Sequence, residues 1–369
     1  MDEEEIFFCI ALTQVPGIGH TGAKRLMDEM KSATAIFGRR NELREILPDV
    51  NRRLEKVLDA PQAMKRAEEE MRFIRKNGIR CLTLFDEDFP PLLRECDDAP
   101  ILLFFKGDAE LNVRRTVSMV GTRKITTYGQ YLCDGFLKEL KEYYPDILIT
   151  SGLAYGIDIH AHRAALANQF PTVGVLAHGL DRIYPSVHRQ TAVKMLEQGG
   201  LITEYLSGTE PERYNFISRN RIIAGMSNAT VVVESGDKGG ALITAEMALG
   251  YNRECFAFPG RATDECSQGC NRLIRENKAT LIQSAKDFIQ AMGWKSAPLK
   301  RTVQRSLFPE LTGKEQQIAN ILDKQEKVQV DALAIEADLP IQEIKTLLFG
   351  LEMKGAVRTL AGGVYELLH

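Results

Sequence analysis

The chain has no surplus of positive charge. It carries 47 Lys and Arg against 50 Asp and Glu in 369 residues, a formal net charge of -3. Any grip on a polyanion must therefore come from a local patch rather than from the surface as a whole. Its seven cysteines, Cys9, Cys81, Cys96, Cys133, Cys255, Cys266 and Cys270, fall into no disulfide framework and read as reduced thiols. No apolar run is long enough to span a bilayer. The opening MDEEEIFFCI is acidic, which is wrong for a secretory or transit leader. These absences lead to the expectation of a soluble, cytoplasmic protein with no membrane partner. What is present is ordinary globular stock, 44% hydrophobic and 26% charged, long enough for two or three domains with a large core.

Residues 1–70 read as a small helical domain. EEEIFFCIALTQV is an apolar helix with an acidic start, favourable at the positive end of the dipole. In VPGIGHTGAKRLMDEM, Pro16, Gly17 and Gly19 make a tight turn before a second helix. That turn fits either a helix-hairpin-helix, whose amides can meet a DNA phosphate, or a sterile-alpha-motif-like bundle used for contacts. The balance over residues 1–70, 11 basic against 14 acidic side chains, speaks against DNA contact there.

From 71 to 291 short apolar runs alternate with helices. Strands are expected at 79–85, 101–107, 116–121, 146–152, 171–177, 200–205, 229–235, 254–260 and 279–284, most of them near-continuously apolar as strands covered on both faces are. Helices are expected at 126–143, 156–168, 186–198, 218–227, 239–250 and 270–277. This alternation predicts an α/β fold with a mostly parallel, doubly wound, Rossmann-like sheet whose ligands sit at the carboxyl ends of the strands. Residues 292–311, with proline and no period, read as a linker. Residues 312–369 read as three helices, 312–324, 330–337 and 340–354, and a hairpin turning at AGG: a winged-helix domain. Residues 308–369 hold 6 basic and 10 acidic side chains, and LPIQEIKTLL puts no arginine on the would-be recognition helix. A protein contact suits that module better than duplex DNA.

Four strand ends run into glycine-containing turns before a helix: Gly121, Thr122 and Arg123; Ser151, Gly152 and Gly156; Ser235, Gly236, Gly239 and Gly240; Gly260 and Gly269. Unpaired amides at helix starts, converging on one sheet edge, would make an anion-binding rim. None of the loops matches GxxxxGK[ST] or a GxGxxG with an acidic partner, so neither a P-loop nor a dinucleotide cofactor is expected. Beside this rim falls SRNRIIAGMS, residues 218–227. With Ser218 as N-cap, Arg219, Asn220 and Arg221 form the first turn and Ile222, Ile223 and Met226 the buried stripe. Arg221 and Asn220 then face away from the core, and Arg219 lines a cleft or pairs with a buried acid. Upstream, Arg213 and Phe216 stand three apart, the pairing with which single strands are held by phosphate charge and base stacking.

These motifs, VGTRKITTYG, TSGLAYGIDIHAHRAAL, SRNRIIAGMS, VVVESGDKGGALITAEMALGYNRECFAFPG and GCNRLI, resemble those of the DNA-processing protein A family (DprA, also called Smf), in family order from about residue 80 to 284. The resemblance implies an extended Rossmann fold that binds single-stranded DNA as a homodimer, protects incoming DNA during natural transformation and loads the RecA recombinase. It assigns DNA contacts to Gly121, Thr122 and Arg123, to Ser151, Gly152 and Gly156, to Arg213 and Phe216, to Arg219, Asn220 and Arg221, and to Gly239 and Gly240. Ser186 and His188 in YPSVHRQ, and Lys278 and Ala279 in ENKAT, depart from the family pattern.

An enzyme reading has less to stand on. GDKGGALITAE is loosely similar to the loop of nucleotide phosphoribohydrolases, with Glu246 as the working carboxylate, but the Pro-Gly-Gly lead and threonine spacing are absent. His160 and His162, two apart on a helix, face different directions and have no completing ligands for a metal. A non-enzyme without metal or cofactor is the expectation, and a Rossmann hydrolase the alternative.

Overall fold

The nine apolar runs between residues 79 and 284 all become strands. In a computed structural model, which describes residues 2–42, 58–295, 311–325, 327–354, 356–360 and 363–367, they are β1 (Arg80–Thr83), β2 (Leu102–Gly107), β3 (Thr116–Val120), β4 (Leu148–Ser151), β5 (Thr172–Val175), β6 (Gly200–Thr203), β7 (Ala229–Val232), β8 (Glu254–Ala257) and β9 (Thr280–Leu281). They form one sheet in the order β1-β2-β6-β5-β4-β3-β7-β8-β9. From β6 to β9 every pairing is parallel. Only β1 with β2 and β2 with β6 run antiparallel.

The helices described in this part are α1 (Glu3–Thr13), α2 (His20–Met30), α3 (Ala33–Gly38), α4 (Pro61–Asn77), α5 (Pro91–Arg94), α6 (Thr127–Tyr143), α7 (Ile157–Ala167), α8 (Arg189–Gln198), α9 (Arg213–Gly225), α10 (Gly240–Gly250), α11 (Gln268–Arg275) and α12 (Ala285–Ala291). Alternate strand residues serve opposite faces of the sheet. Val117, Met119 and Val231 join Phe136, Leu137 and Phe288 of α6 and α12. Val120 and Val232 join Ile222 and Ile223 of α9 and Leu242 of α10. Both faces being covered is why these strands read as unbroken apolar runs. The N-terminal helices share this second cluster, through residues such as Ile10, Leu12 and Ile36, with Leu103 and Phe105 of β2. Glu70 of α4, 2% exposed, takes the Ser207 amide and hydroxyl at 3.0 and 2.5 Å, fastening α4 to the loop that leads into α9.

From β3 the chain steps through β4 and β5 to β6, then α9 carries it back to β7 on the other flank of β3. The strand order therefore reverses between β3 and β7, the place where an open α/β sheet leaves a crevice at its carboxyl edge. One helix start differs from expectation. α9 begins at Arg213 with Glu212 as N-cap, so Arg219, Asn220 and Arg221 lie in its middle and not in its first turn.

Residues 300–369 form a second compact unit. Its helices are α13 (Gly313–Gln325), α14 (Val330–Ala337) and α15 (Ile341–Met353), with strands β10 (Val328–Gln329), β11 (Val357–Leu360) and β12 (Val364–Leu367) paired antiparallel as β10-β12-β11. Ile318, Leu322, Leu333, Ile344, Leu348 and Leu351 fill its core, the winged-helix arrangement. Ala361 and Gly362 of the expected AGG turn, residues 296–310 of the expected linker and residues 43–57 lie outside the described residues. Among the described residues, no helix is long and apolar enough to cross a membrane.

Candidate nucleic-acid interface

At the reversal between β3 and β7 lies an open groove of about 1060 Å³, lined by Gly121, Thr122, Arg123 and Lys124 after β3, by Arg213, Phe216, Arg219 and Asn220 of α9, and by the turn 235–240 ahead of α10. The structure thus gathers nine of the sequence-derived residues: Gly121, Thr122, Arg123, Arg213, Phe216, Arg219, Asn220, Gly239 and Gly240. Ser151, Gly152, Gly156 and Arg221 do not line it and act from behind.

The cations divide into two sets. Arg123, Lys124, Arg213 and Lys238 are exposed, and among the described residues none of their side chains pairs with a carboxylate. The Arg123 guanidinium lies 5.5 Å from the centre of the Phe216 ring, a cation–π approach that holds the charge over the groove without neutralising it. Arg272 is held by Asp237 at 2.6 Å.

The second set is internal. Arg219 is 3% exposed. Its Nη1 donates to the Gly152 carbonyl at 2.8 Å and to the Val175 carbonyl, pinning the ends of β4 and β5 to α9. Burial brings its pKa down to about 10, with Asp158 opposing. Asp158 in turn accepts from the Gly152 amide at 3.2 Å. Burial raises its pKa, against the pull of Arg219.

Arg221 corrects the sequence reading outright. It does not face away from the core but is 4% exposed, with Nη2 at 2.5 Å from Glu204 of the β6 end, itself 5% exposed. α9 packs against the sheet, α10 and α5, so it has no long polar face on which Arg221 could stand. The apolar stripe of the sequence marks only part of what is buried.

The glycine turns are corrected too. The expectation was four loops with free amides. The Thr122 amide is taken by the Glu234 carbonyl at 2.7 Å, Gly269 by Ser235 at 2.8 Å, Gly152 by Asp158 and Gly260 by Asn271 at 3.1 Å. The loop 259–267 borders a separate groove. The start of α10 presents amides with no partner among the described residues to the groove, with Gly239 as an N-cap that offers no side chain. There the helix dipole and the unpaired N–H groups favour an anion. Gly156 has a structural reason: its φ is +78° and a Cβ would strike the Thr122 carbonyl.

Three residues escaped the sequence reading. Lys124 and Lys238 sit in loops already marked for glycine. Glu234, 2% exposed, accepts the Thr126 amide at 3.0 Å and hydroxyl at 2.5 Å, fixing the Arg123 loop against β7. An acid closing the apolar run VVVES was the available signal. The two histidines are occupied: His160 meets Asp134 at 2.9 Å and His162 meets Thr172 at 2.7 Å. Glu246 is exposed, 3.8 Å from Lys278.

A Rossmann-like sheet with exposed cations, an aromatic ring and a helix start at its switch point has the features of an anion-holding α/β protein. The comparisons with known proteins narrow that class. The model of the DNA recombination-mediator protein A family matches residues 80–293, and that of the DprA winged helix domain matches 305–363. The chain belongs to the DprA/Smf family. It is 32% identical over 328 residues to protein Smf of Escherichia coli, covering 86% of this chain and 84% of that one. The match to the putative DNA processing protein DprA of Mycobacterium tuberculosis is 36% over 247 residues and spans 63% of each protein. Among solved structures, DNA processing protein A of Streptococcus pneumoniae superposes with a TM-score of 0.65 at 29% identity, covering 79% of this chain and 98% of that one. DNA processing protein A of Helicobacter pylori, described for its single-stranded DNA binding mode, gives a TM-score of 0.52 at 26% identity over 58% of this chain and 95% of that one.

Proposed function

We propose that this protein binds single-stranded DNA in the β3/β7 groove and acts there as a recombination mediator rather than an enzyme. The observation that carries the reading is the exposed Arg123 guanidinium over the Phe216 ring, unpaired by any carboxylate among the described residues, at the mouth of a groove that also receives Arg213, Lys124 and the start of α10. Phosphates meet the cations and amides while bases meet the ring, a pairing indifferent to sequence. Gly121, Thr122, Asn220, Gly239 and Gly240 shape the groove wall, and Ser151, Gly152, Gly156 and Arg219 hold its parts in place, while Arg221 ties α9 to the end of β6 away from the groove. The Helicobacter pylori relative, described for its single-stranded DNA binding mode, supports the single-strand ligand. In the cytoplasm, the protein as a homodimer would shield incoming strands during natural transformation and hand them to RecA, with the acidic winged helix touching a protein partner. Oligo-dT titration of Arg123→Glu across salt concentrations tests the core of this. The affinity falls at least about tenfold at low salt, and the slope of log K against log salt becomes shallower by about 0.7 for each phosphate that the protein no longer neutralises. Unchanged affinity and slope would overturn it.

A further inference from the structure

Phe216 lines the groove with an aromatic ring. Phe216 is half-buried, with the Arg123 guanidinium 5.5 Å and the Arg219 guanidinium 5.9 Å from its centre. A second ring stands beside it. Tyr184, in the loop between β5 and α8, has its ring centre 5.8 Å from that of Phe216, the planes inclined by 56°. Tyr184 is 45% exposed, and among the described residues no cation lies over its ring and its hydroxyl makes no hydrogen bond.

This exposure is not that of a loose loop. Pro185 follows as a buried residue, and Ile183 packs on the cluster of Leu153, Leu176 and Met195. His188, 3% exposed, joins its Nδ1 to the Leu153 carbonyl at 2.8 Å. A large apolar ring is held out to solvent by anchored neighbours on both sides. A preset ring of this kind costs little further ordering when a flat ligand lies on it.

We propose that Tyr184 is a second nucleobase subsite, stacking the base next to the one at Phe216. The inference rests on the single-strand reading of the groove. The ligand is a base of any identity, since every base has a π face. The tyrosine adds affinity without touching a phosphate, so its share does not depend on salt.

Oligo-dT titrations of Tyr184→Ala and Tyr184→Phe beside Arg123→Glu test it. Tyr184→Ala weakens binding by about five- to 150-fold, the range for removal of one stacked base, with the salt slope of the wild type. Tyr184→Phe binds within about twofold of the wild type, because the stack needs the ring and not the hydroxyl. Wild-type protein irradiated with an oligonucleotide containing 5-iodouracil crosslinks to the peptide that carries Tyr184, an arm that needs no variant to fold. Tyr184→Ala binding like the wild type, while Arg123→Glu has lost binding, removes the subsite and leaves the groove standing. So does a Tyr184→Phe protein as weak as Tyr184→Ala, or a crosslink that avoids that peptide. Arg123→Glu binding as the wild type does would overturn the groove reading itself.

Discussion

Arg221 and Arg123 are both arginines of the motifs that pointed to DNA, and the structure gives them opposite work. Arg221→Met separates the two. The substitution keeps most of the side-chain volume and removes the charge that lies 2.5 Å from Glu204 in a site where both side chains are 5% exposed or less. Among the described residues, Glu204 then keeps His20, whose Nδ1 is 3.2 Å from the same oxygen. Breaking one half of a buried pair leaves a charge shut away from water, at a cost of about 3–5 kcal/mol. In a unit of this size each kcal/mol moves the melting point by about 2–4 °C, so a fall of about 6–20 °C is expected. Replacing both partners, Arg221→Met with Glu204→Gln, removes the stranded charge and restores most of the stability. Urea unfolding of the wild type, Arg221→Met, Glu204→Gln and the double variant measures the coupling, and oligo-dT binding well below each melting point measures function. Binding stays within about twofold throughout, because neither side chain reaches the groove. An Arg221→Met protein that melts like the wild type yet no longer holds DNA would refute this and return Arg221 to the phosphates.

Gly156→Ala forces a side chain onto a backbone at φ +78° and against the Thr122 carbonyl. The strain is about 1–3 kcal/mol, and the displaced loop carries Arg123, so both melting temperature and oligonucleotide affinity fall; a variant equal to the wild type in both would contradict the placement. Stability also depends on pH through His162. Burial holds its pKa down at about 3, against a usual 6.5, so the unfolded chain takes up a proton that the folded one refuses. The contribution is whole above about pH 6.5 and is lost as pH falls from there towards about 3, by up to about 1.4 kcal/mol per unit. His20, His178 and His188 are lowered by burial as well and tilt stability the same way. The test is therefore the difference between wild type and His162→Gln in urea unfolding from about pH 8 to 4, where the variant has the shallower slope.

The strands were legible because burial on both faces writes itself into composition: a run such as ATVVVES has no other good home. Strand direction is not written there, so the antiparallel β1 and β2 were invisible as such. The start of α9 was misplaced because Arg213 to Ile217 shows no apolar stripe. Its first turn stands over the groove, with Arg213 and Tyr214 exposed and Phe216 half-buried, so little packing is there to leave a periodic signal. The true start follows Pro211, whose fixed φ suits a helix entry. Glu212 caps with its backbone alone, leaving no Ser or Asp to mark the spot.

The arginines show a deeper limit. Helical periodicity assigns a residue to a face, but only the fold says how many faces are covered, and α9 is covered on almost all of them beyond its first turn. A buried arginine then needs an acid or carbonyls from elsewhere in the chain. Arg221 finds Glu204, 17 residues back, and Arg219 finds carbonyls 67 and 44 residues back. Pairings of that kind are made by topology. The same holds for the amides. A glycine turn in the sequence promises a free N–H, yet Thr122, Gly152, Gly260 and Gly269 all give theirs to the protein. What remains at the groove, among the described residues, is one helix start and a set of side-chain cations with no carboxylate partner. On the proposed reading, the grip on phosphate rests more on Arg123, Lys124, Arg213 and Lys238 than on the backbone. Such a grip would be salt-sensitive and would leave a strand free to slide until its bases find the proposed rings.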